Sequence, residues 1–199
     1  DFALDFLQKN KKENVCLIAA DKGVEFFIKT DWVPDVAVGD FDSLSAAGEK
    51  YLDSLKETEI VRLKPEKDDS DTQSAVNFAI DRGAKNITIF GATGNRIDHL
   101  LANFGLLVLG RERGTDIILI DQWNYMKLVE SGTVLKKKEQ FGKYVSFFSL
   151  EGDMPGLTLV GFKYPLDHYH LRVSDSGLTV SNEIEAEEAV VSFDGKSLL

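Results

Sequence analysis

Aspartates recur in this chain where apolar runs end: Asp40 and Asp42 after residues 36–39, Asp68, Asp69 and Asp71 after 60–63, and Asp98 shortly beyond 87–90. In an open α/β sheet the carboxyl ends of the strands form one rim, so carboxylates far apart in sequence converge there. Two unit charges about 4 Å apart at an effective dielectric near ~20 repel by roughly 4 kcal/mol, so such a rim needs protons or a cation. Oxygen donors alone select a hard ion, Mg²⁺ above all, and Mg²⁺ most often arrives holding phosphates. The pattern therefore points to phosphate chemistry.

Each cluster also has a plainer reading. Asp40 and Asp42 lie at i and i+2, which in extended backbone places both carboxylates on one face with Phe41 turned to the other; alternatively Asp42 or Ser43 caps the helix that follows. In the second cluster Ser70 or Asp71 makes a good helix cap. Capping leaves the other carboxylates around Lys67 unexplained, which favours a site for a metal or for an alcohol whose proton must leave. Lys67 reads equally as a phosphate contact or a local counter-ion.

The run Gly91, Thr93, Gly94, Asn95, Arg96, Asp98 and His99 follows a strand-like segment and opens the best helix pattern in the chain. Glycines let backbone amides approach an anion, the helix N-terminus adds a favourable field, and Arg96 can fork onto phosphate oxygens. His99 is either a ligand contact or a helix histidine bonded to Asn103 one turn on. Asp21, which ends the first apolar run, is either a turn residue or a fourth rim carboxylate. Further along, Tyr164 beside Pro165 can stack on a flat or cationic ring, or serve as ordinary core or surface, while Ser181, Asn182 and Glu183 offer directional hydrogen bonds. Glu185, Glu187 and Glu188 complete an acidic stretch that suits a solvated strand edge.

The elements that must position these residues divide in two. Residues 15–20, 36–39, 60–63, 87–90 and 117–120 read as strands alternating with helices, of which 96–109, with Gly110 closing it, and 71–82, before Gly83, have the clearest period. This predicts an α/β domain over residues 1–128 with a mostly parallel, Rossmann-like sheet. After Gly132 short alternating runs at 144–150, 157–160, 169–173, 178–180 and 189–193 predict a small β-sandwich over residues 129–199. The first element, residues 2–9, reads as a helix where a doubly wound domain commonly opens with a strand; either the sheet begins elsewhere or the chain is a fragment.

With 199 residues, 43% of them hydrophobic, the chain can bury a real core, and its formal charge of -10 disfavours nucleic acid or an anionic membrane as partner. Lys136, Lys137 and Lys138 read as a solvated turn. The single Cys16 excludes an internal disulfide and fits a reducing cytoplasm, and no apolar stretch approaches the length of a membrane span.

Taken together, residues 34–43, 66–72 and 91–99 resemble the three acidic motifs of the thiamine pyrophosphokinase family, in order, and residues 161–166 and 181–183 resemble its thiamine-binding motifs. The resemblance runs from about Val15 to Phe193. It implies an N-terminal α/β domain, a C-terminal β-sandwich, and a homodimer whose active sites are shared between subunits. Thiamine and ATP would be the substrates, with Mg²⁺ as cofactor. Asp40, Asp42, Asp71 and Asp98 would be the Mg²⁺ and catalytic acids, Arg96 and the Gly91 to Gly94 loop would hold ATP phosphates, and Tyr164, Ser181 and Asn182 would face thiamine. The sequence departs from the family pattern twice: the glycine-bearing strand expected before Phe2 is absent, and His168 stands where asparagine is common. Two other readings compete. One is a phosphohydrolase resembling haloacid-dehalogenase-like phosphatases, with Asp40 as nucleophile; the other is a non-catalytic nucleotide or thiamine sensor.

Overall fold

The computed structural model describes residues 1–10, 15–64, 66, 68–94, 96–175 and 177–199. Lys67 and Asn95, both expected at the phosphate site, lie outside the described residues. The chain forms two compact units, Asp1–Thr115 and Asp116–Leu199.

In the first unit, helix α1 (Phe2–Lys9) is followed by strand β1 (Ile18–Ala20), a 3₁₀ helix (Asp21–Lys29), β2 (Val36–Gly39), α2 (Ala46–Ser54), β3 (Glu59–Arg62), α3 (Asp71–Asp81), β4 (Asn86–Phe90) and α4 (Ile97–Arg113). Strands β1, β2 and β3 form a parallel sheet with β2 in the centre, where Val36 pairs with Ile18 on one side and Glu59 on the other. All four residues of β2 are buried, which is why it reads as a continuous apolar run with no alternation. Ala37 packs with Ala19, Val24, Phe27 and Leu52 on the face of the 3₁₀ helix and α2, whereas Val36 and Val38 pack with Ala75 of α3. With helical elements on both faces, the sheet leaves the carboxyl ends of its strands as the place where polar groups can gather.

Helix α4 runs past its expected end. Gly110 lies buried inside it, and the helix stops at Gly114, whose φ of 68° supplies the left-handed turn of a C-terminal cap. The intervening Arg111 and Arg113 favour the helix, since cations in the last turn oppose the negative end of the dipole. The start of α1 is fixed by Asp1, whose carboxylate accepts a hydrogen bond from the Ala3 amide, and its Phe6 ring stacks edge-on against Phe90, the last residue of β4.

In the second unit, β5 (Asp116–Ile120) pairs antiparallel with β6 (Tyr125–Lys127) across a turn in which one carboxylate oxygen of Asp121 accepts the amides of Trp123 and Asn124. Strands β7 (Thr133–Lys136), β8 (Met154–Val160), β9 (Leu166–Leu171) and β10 (Glu188–Ser192) make an antiparallel sheet in the order β7-β10-β8-β9. Its core is built from Phe147, Leu157, Leu159, Phe162, Leu171, Val191 and Leu198. The runs 144–150 and 178–180, expected as strands, form none. Val145 exchanges both backbone hydrogen bonds with Asn182, the Phe147 amide goes to Thr179, and Phe148 exchanges both with Leu199. The register slips by one residue between the Val145–Asn182 and Phe147–Thr179 contacts, which interrupts the ladder.

Candidate functional site

Three carboxylates gather at the carboxyl ends of β1 and β2. Asp21 directly follows β1 and Asp40 directly follows β2. In the parallel register of these strands Asp21 falls beside Gly39, one residue before Asp40. One oxygen from each of Asp21, Asp40 and Asp42 lies within 4.8 Å of the others. The geometry differs from the extended i, i+2 pair expected from the sequence. Strand β2 ends at Gly39, and Phe41 takes a left-handed conformation, φ 63°, which turns its ring into the core beneath the loop. Asp21 is also left-handed, φ 43°. Left-handed backbone at Asp21 and Phe41 rather than pleating thus presents the acids.

Gly39 makes the approach possible. A Cβ at this position would stand 3.0 Å from the Asp21 Cα and 3.2 Å from its amide nitrogen, so any side chain would drive the two strand ends apart. Ser43 then holds Asp21 from the other side, its hydroxyl donating to Oδ2 at 2.5 Å. The other oxygen, Oδ1, is buried with no hydrogen-bond partner among the described residues. A buried carboxylate oxygen left unmatched is costly unless a cation satisfies it. The electrostatics agree: the Asp42 carboxyl is held above its ordinary value chiefly by the charge of Asp40, then by desolvation, by Asp21, by a hydrogen bond with Asp40 and by Asp71. Oxygen-only donors, mutual repulsion and one orphaned oxygen fit a hard divalent cation such as Mg²⁺.

Asp71 opens α3, a helix that packs on β1 and β2, and it contributes to the raised affinity of Asp42 for a proton. The helix start is secured by its neighbours. Ser70 accepts the Gln73 amide as N-cap, and the Asp69 carboxylate accepts from the side-chain amides of Gln73 at 2.8 Å and Asn77 at 3.2 Å. Asp69 is therefore engaged in bracing the helix.

Arg96 and Asp98 form an exposed two-point ion pair, with Arg96 donating at 2.6 Å and 3.2 Å, and Asp98 also accepts the His99 amide. Hydrogen bonding by Arg96 keeps the Asp98 carboxyl below the ordinary range, and the same contact raises Arg96. Asp98 is not in the group formed by Asp21, Asp40 and Asp42. Gly91, at φ 73°, and Gly94 form an exposed loop with Thr93 half-buried between them. His99 is exposed, and Asn103, expected as its partner, instead donates to the Ala92 carbonyl at 2.9 Å, tying the loop to α4. Gly39, Ser43 and Asn103 escaped the sequence reading as site-shaping residues. Gly39 carried a signal, since a glycine at the end of a buried strand marks a close backbone approach.

In the second unit Tyr164 follows β8 and is 57% exposed, whereas Asn182, hydrogen-bonded to its backbone, is 1% exposed. Ser181 is exposed and left-handed, φ 58°. Lys163 and Lys143 both pair with Glu183, at 2.9 Å and 3.6 Å.

Both regions of the chain match known protein domains. The sequence profile of the thiamin pyrophosphokinase catalytic domain matches residues 7–119, and that of the thiamin pyrophosphokinase vitamin B1 binding domain matches residues 132–198. A thiamine pyrophosphokinase of Bacillus subtilis is 34% identical over 181 residues, 91% of this chain and 84% of the relative. The crystal structure of thiamine pyrophosphokinase from Bacillus subtilis superposes with a TM-score of 0.85 at 32% identity, covering 96% of this chain and 89% of that one. The enzyme from Geobacillus thermodenitrificans gives 0.81 at 30% identity, covering 96% and 87%. The chain belongs to the thiamin pyrophosphokinase family.

Proposed function

We propose that this chain transfers the pyrophosphoryl group of ATP to the hydroxyl of thiamine, giving thiamine diphosphate and AMP. The observation that carries the proposal is the group Asp21, Asp40 and Asp42, gathered within 4.8 Å with one buried oxygen unmatched. The hydroxyl oxygen of thiamine attacks the β-phosphorus in line, the bond from that phosphorus to the oxygen bridging to the α-phosphorus breaks, and AMP leaves with the bridging oxygen. Asp71 or Asp98 orients the hydroxyl and takes its proton. Asp40 and Asp42, with Asp21, Asp71 and Asp98 at hand, would hold Mg²⁺, which when bound neutralises charge on the phosphate oxygens. Arg96 exchanges Asp98 for phosphate oxygens, helped by Lys67, Asn95 and His99, and the amides of Gly91, Thr93 and Gly94 face the same anion.

Residues 1–128 act as the catalytic, Rossmann-like part and residues 129–199 as the thiamine-binding part, its bridged segments serving as the second layer of a sandwich. Tyr164 and Ser181 face thiamine. A homodimer completes each active site from two subunits, and a reducing cytoplasm suits the lone Cys16. The test is to mix the protein with ATP, Mg²⁺ and thiamine and to follow AMP together with thiamine diphosphate. Equimolar formation of both is expected. Phosphate release without an acceptor would establish a phosphohydrolase instead, and binding of both compounds without turnover would establish a sensor.

A further inference from the structure

Three of the four hydrogen-bonding positions of the Asn182 side chain are filled by the protein itself. Its Oδ1 accepts the Tyr164 amide at 3.0 Å and the Glu183 amide at 2.9 Å, and its Nδ2 donates to the Tyr164 carbonyl at 2.8 Å. Its own backbone exchanges both hydrogen bonds with Val145 at 2.9 Å. The orientation of the amide follows from this pattern, because the flipped group would set its NH₂ against two backbone amides. Both acceptor positions of Oδ1 are filled, and the residue is 1% exposed. A ligand resting on the Tyr164 ring therefore finds no surface of Asn182 to touch.

The side-chain amide does for Tyr164 what a neighbouring strand would do, gripping both its N–H and its C=O. Just before Tyr164 the chain has ordinary backbone pairs: Phe162 bridges Ile184, and the Lys163 amide donates to the Glu183 carbonyl. The left-handed Ser181 is the turn that rotates Asn182 inward, and its amide is received by the Ser146 hydroxyl at 3.0 Å.

We infer that Asn182 is a positioning residue that acts on thiamine only through Tyr164, by clamping the backbone from which that ring projects. This rests on the assignment of Tyr164 to thiamine and changes the role of Asn182 from a ligand contact to a support. Holding a large ring in its bound orientation before the ligand arrives removes an ordering cost from binding.

A double-mutant cycle tests the clamp, with thiamine binding measured by calorimetry on the full chain. Asn182→Ala is expected to weaken thiamine about tenfold, as both hydrogen bonds to the Tyr164 backbone are lost, but to have less than about a twofold effect in the Tyr164→Ala background. Effects that multiply would mean that Asn182 touches the ligand itself, and an unchanged affinity in Asn182→Ala would mean that it does nothing; either overturns the inference. Should Asn182→Ala fail to fold, Asn182→Asp retains the shape and both acceptor contacts while setting a carboxylate against the Tyr164 carbonyl. In protein labelled with 3-fluorotyrosine, the Tyr164 fluorine signal, assigned through Tyr164→Phe, should shift in Asn182→Asp without ligand while those of Tyr51 and Tyr125 stay in place. An unmoved Tyr164 signal refutes the clamp whatever the affinities. A moved signal combined with unaltered thiamine affinity in Tyr164→Ala refutes the thiamine assignment of Tyr164 and upholds the clamp.

Discussion

The acidic rim of the first unit and the tyrosine platform of the second are built on opposite principles. At the rim the protein assembles like charges, presents them from two left-handed residues, and leaves an oxygen of Asp21 without a hydrogen-bond partner among the described residues. At the platform the anchoring Asn182 has each of its acceptor positions filled from within. A site whose ligand brings charge can be left in repulsion, since the ligand supplies what is missing. A surface for a ring gains nothing from unmet polar groups and must be rigid beforehand.

The contrast can be broken most sharply at the rim. Asp42→Asn and Asp71→Asn should each lower AMP formation by about 10³-fold or more while the far-ultraviolet circular dichroism stays native; near-normal turnover in both would remove the rim from the chemistry. The platform should answer differently. Tyr164→Ala is expected to raise the KM for thiamine about tenfold through lost stacking, with the KM for ATP unchanged. A rise confined to ATP would reverse the roles of the two regions.

A third experiment separates repulsion from ordinary exposure. The Asp42 carboxyl is held above its ordinary range chiefly by Asp40. Between the unfolded and the raised folded values the native state binds more protons than the unfolded state, so stability falls as pH rises through that window. With chelator present, Asp42→Asn should therefore melt higher than the parent protein near neutral pH, and the difference should vanish as pH falls below the unfolded carboxyl value. Added Mg²⁺ should stabilise the parent more than the variant. An identical pH dependence for both proteins would show that the acids do not feel one another. The smallest effect is expected at His168, held at φ 45°. Asparagine tolerates this conformation better, so His168→Asn should stabilise the chain by about 0.5–1 kcal/mol in chemical denaturation, with turnover unaltered.

The elements of the α/β part were readable because their signals are local, but the mostly parallel sheet expected from them was not found among the described residues: β1 to β3 form a parallel sheet of their own, and β5 pairs antiparallel with β6. A continuous apolar run marked β2, capping residues marked α3, and acids placed after strand-like runs marked the rim. Asp21 stayed ambiguous, because a turn residue and a ligand look alike until the neighbouring strand is placed beside it. The β part was legible only where residues pair in regular ladders. The segment 144–150 has the composition of a strand, but its partners come from residues 179, 182 and 199, and nothing local announces that the pairing changes along the way. The role of Asn103 was hidden for the same reason: its acceptor, the Ala92 carbonyl, belongs to a loop whose path the sequence does not state.

Phe41 carries a consequence for anyone seeking a hardier form of this protein. A bulky residue with a positive φ resists its own backbone, and the burial of Phe41, 6% exposed in the cluster of Leu52 and Val24, helps to keep it there. Relaxing that tension would make the chain tougher, but it would also let the two aspartates flanking the phenylalanine drift apart. If the rim holds the metal as proposed, heat resistance and turnover are set against each other at this residue, and a screen that rewards only survival of the fold should recover variants here that have lost their catalytic power.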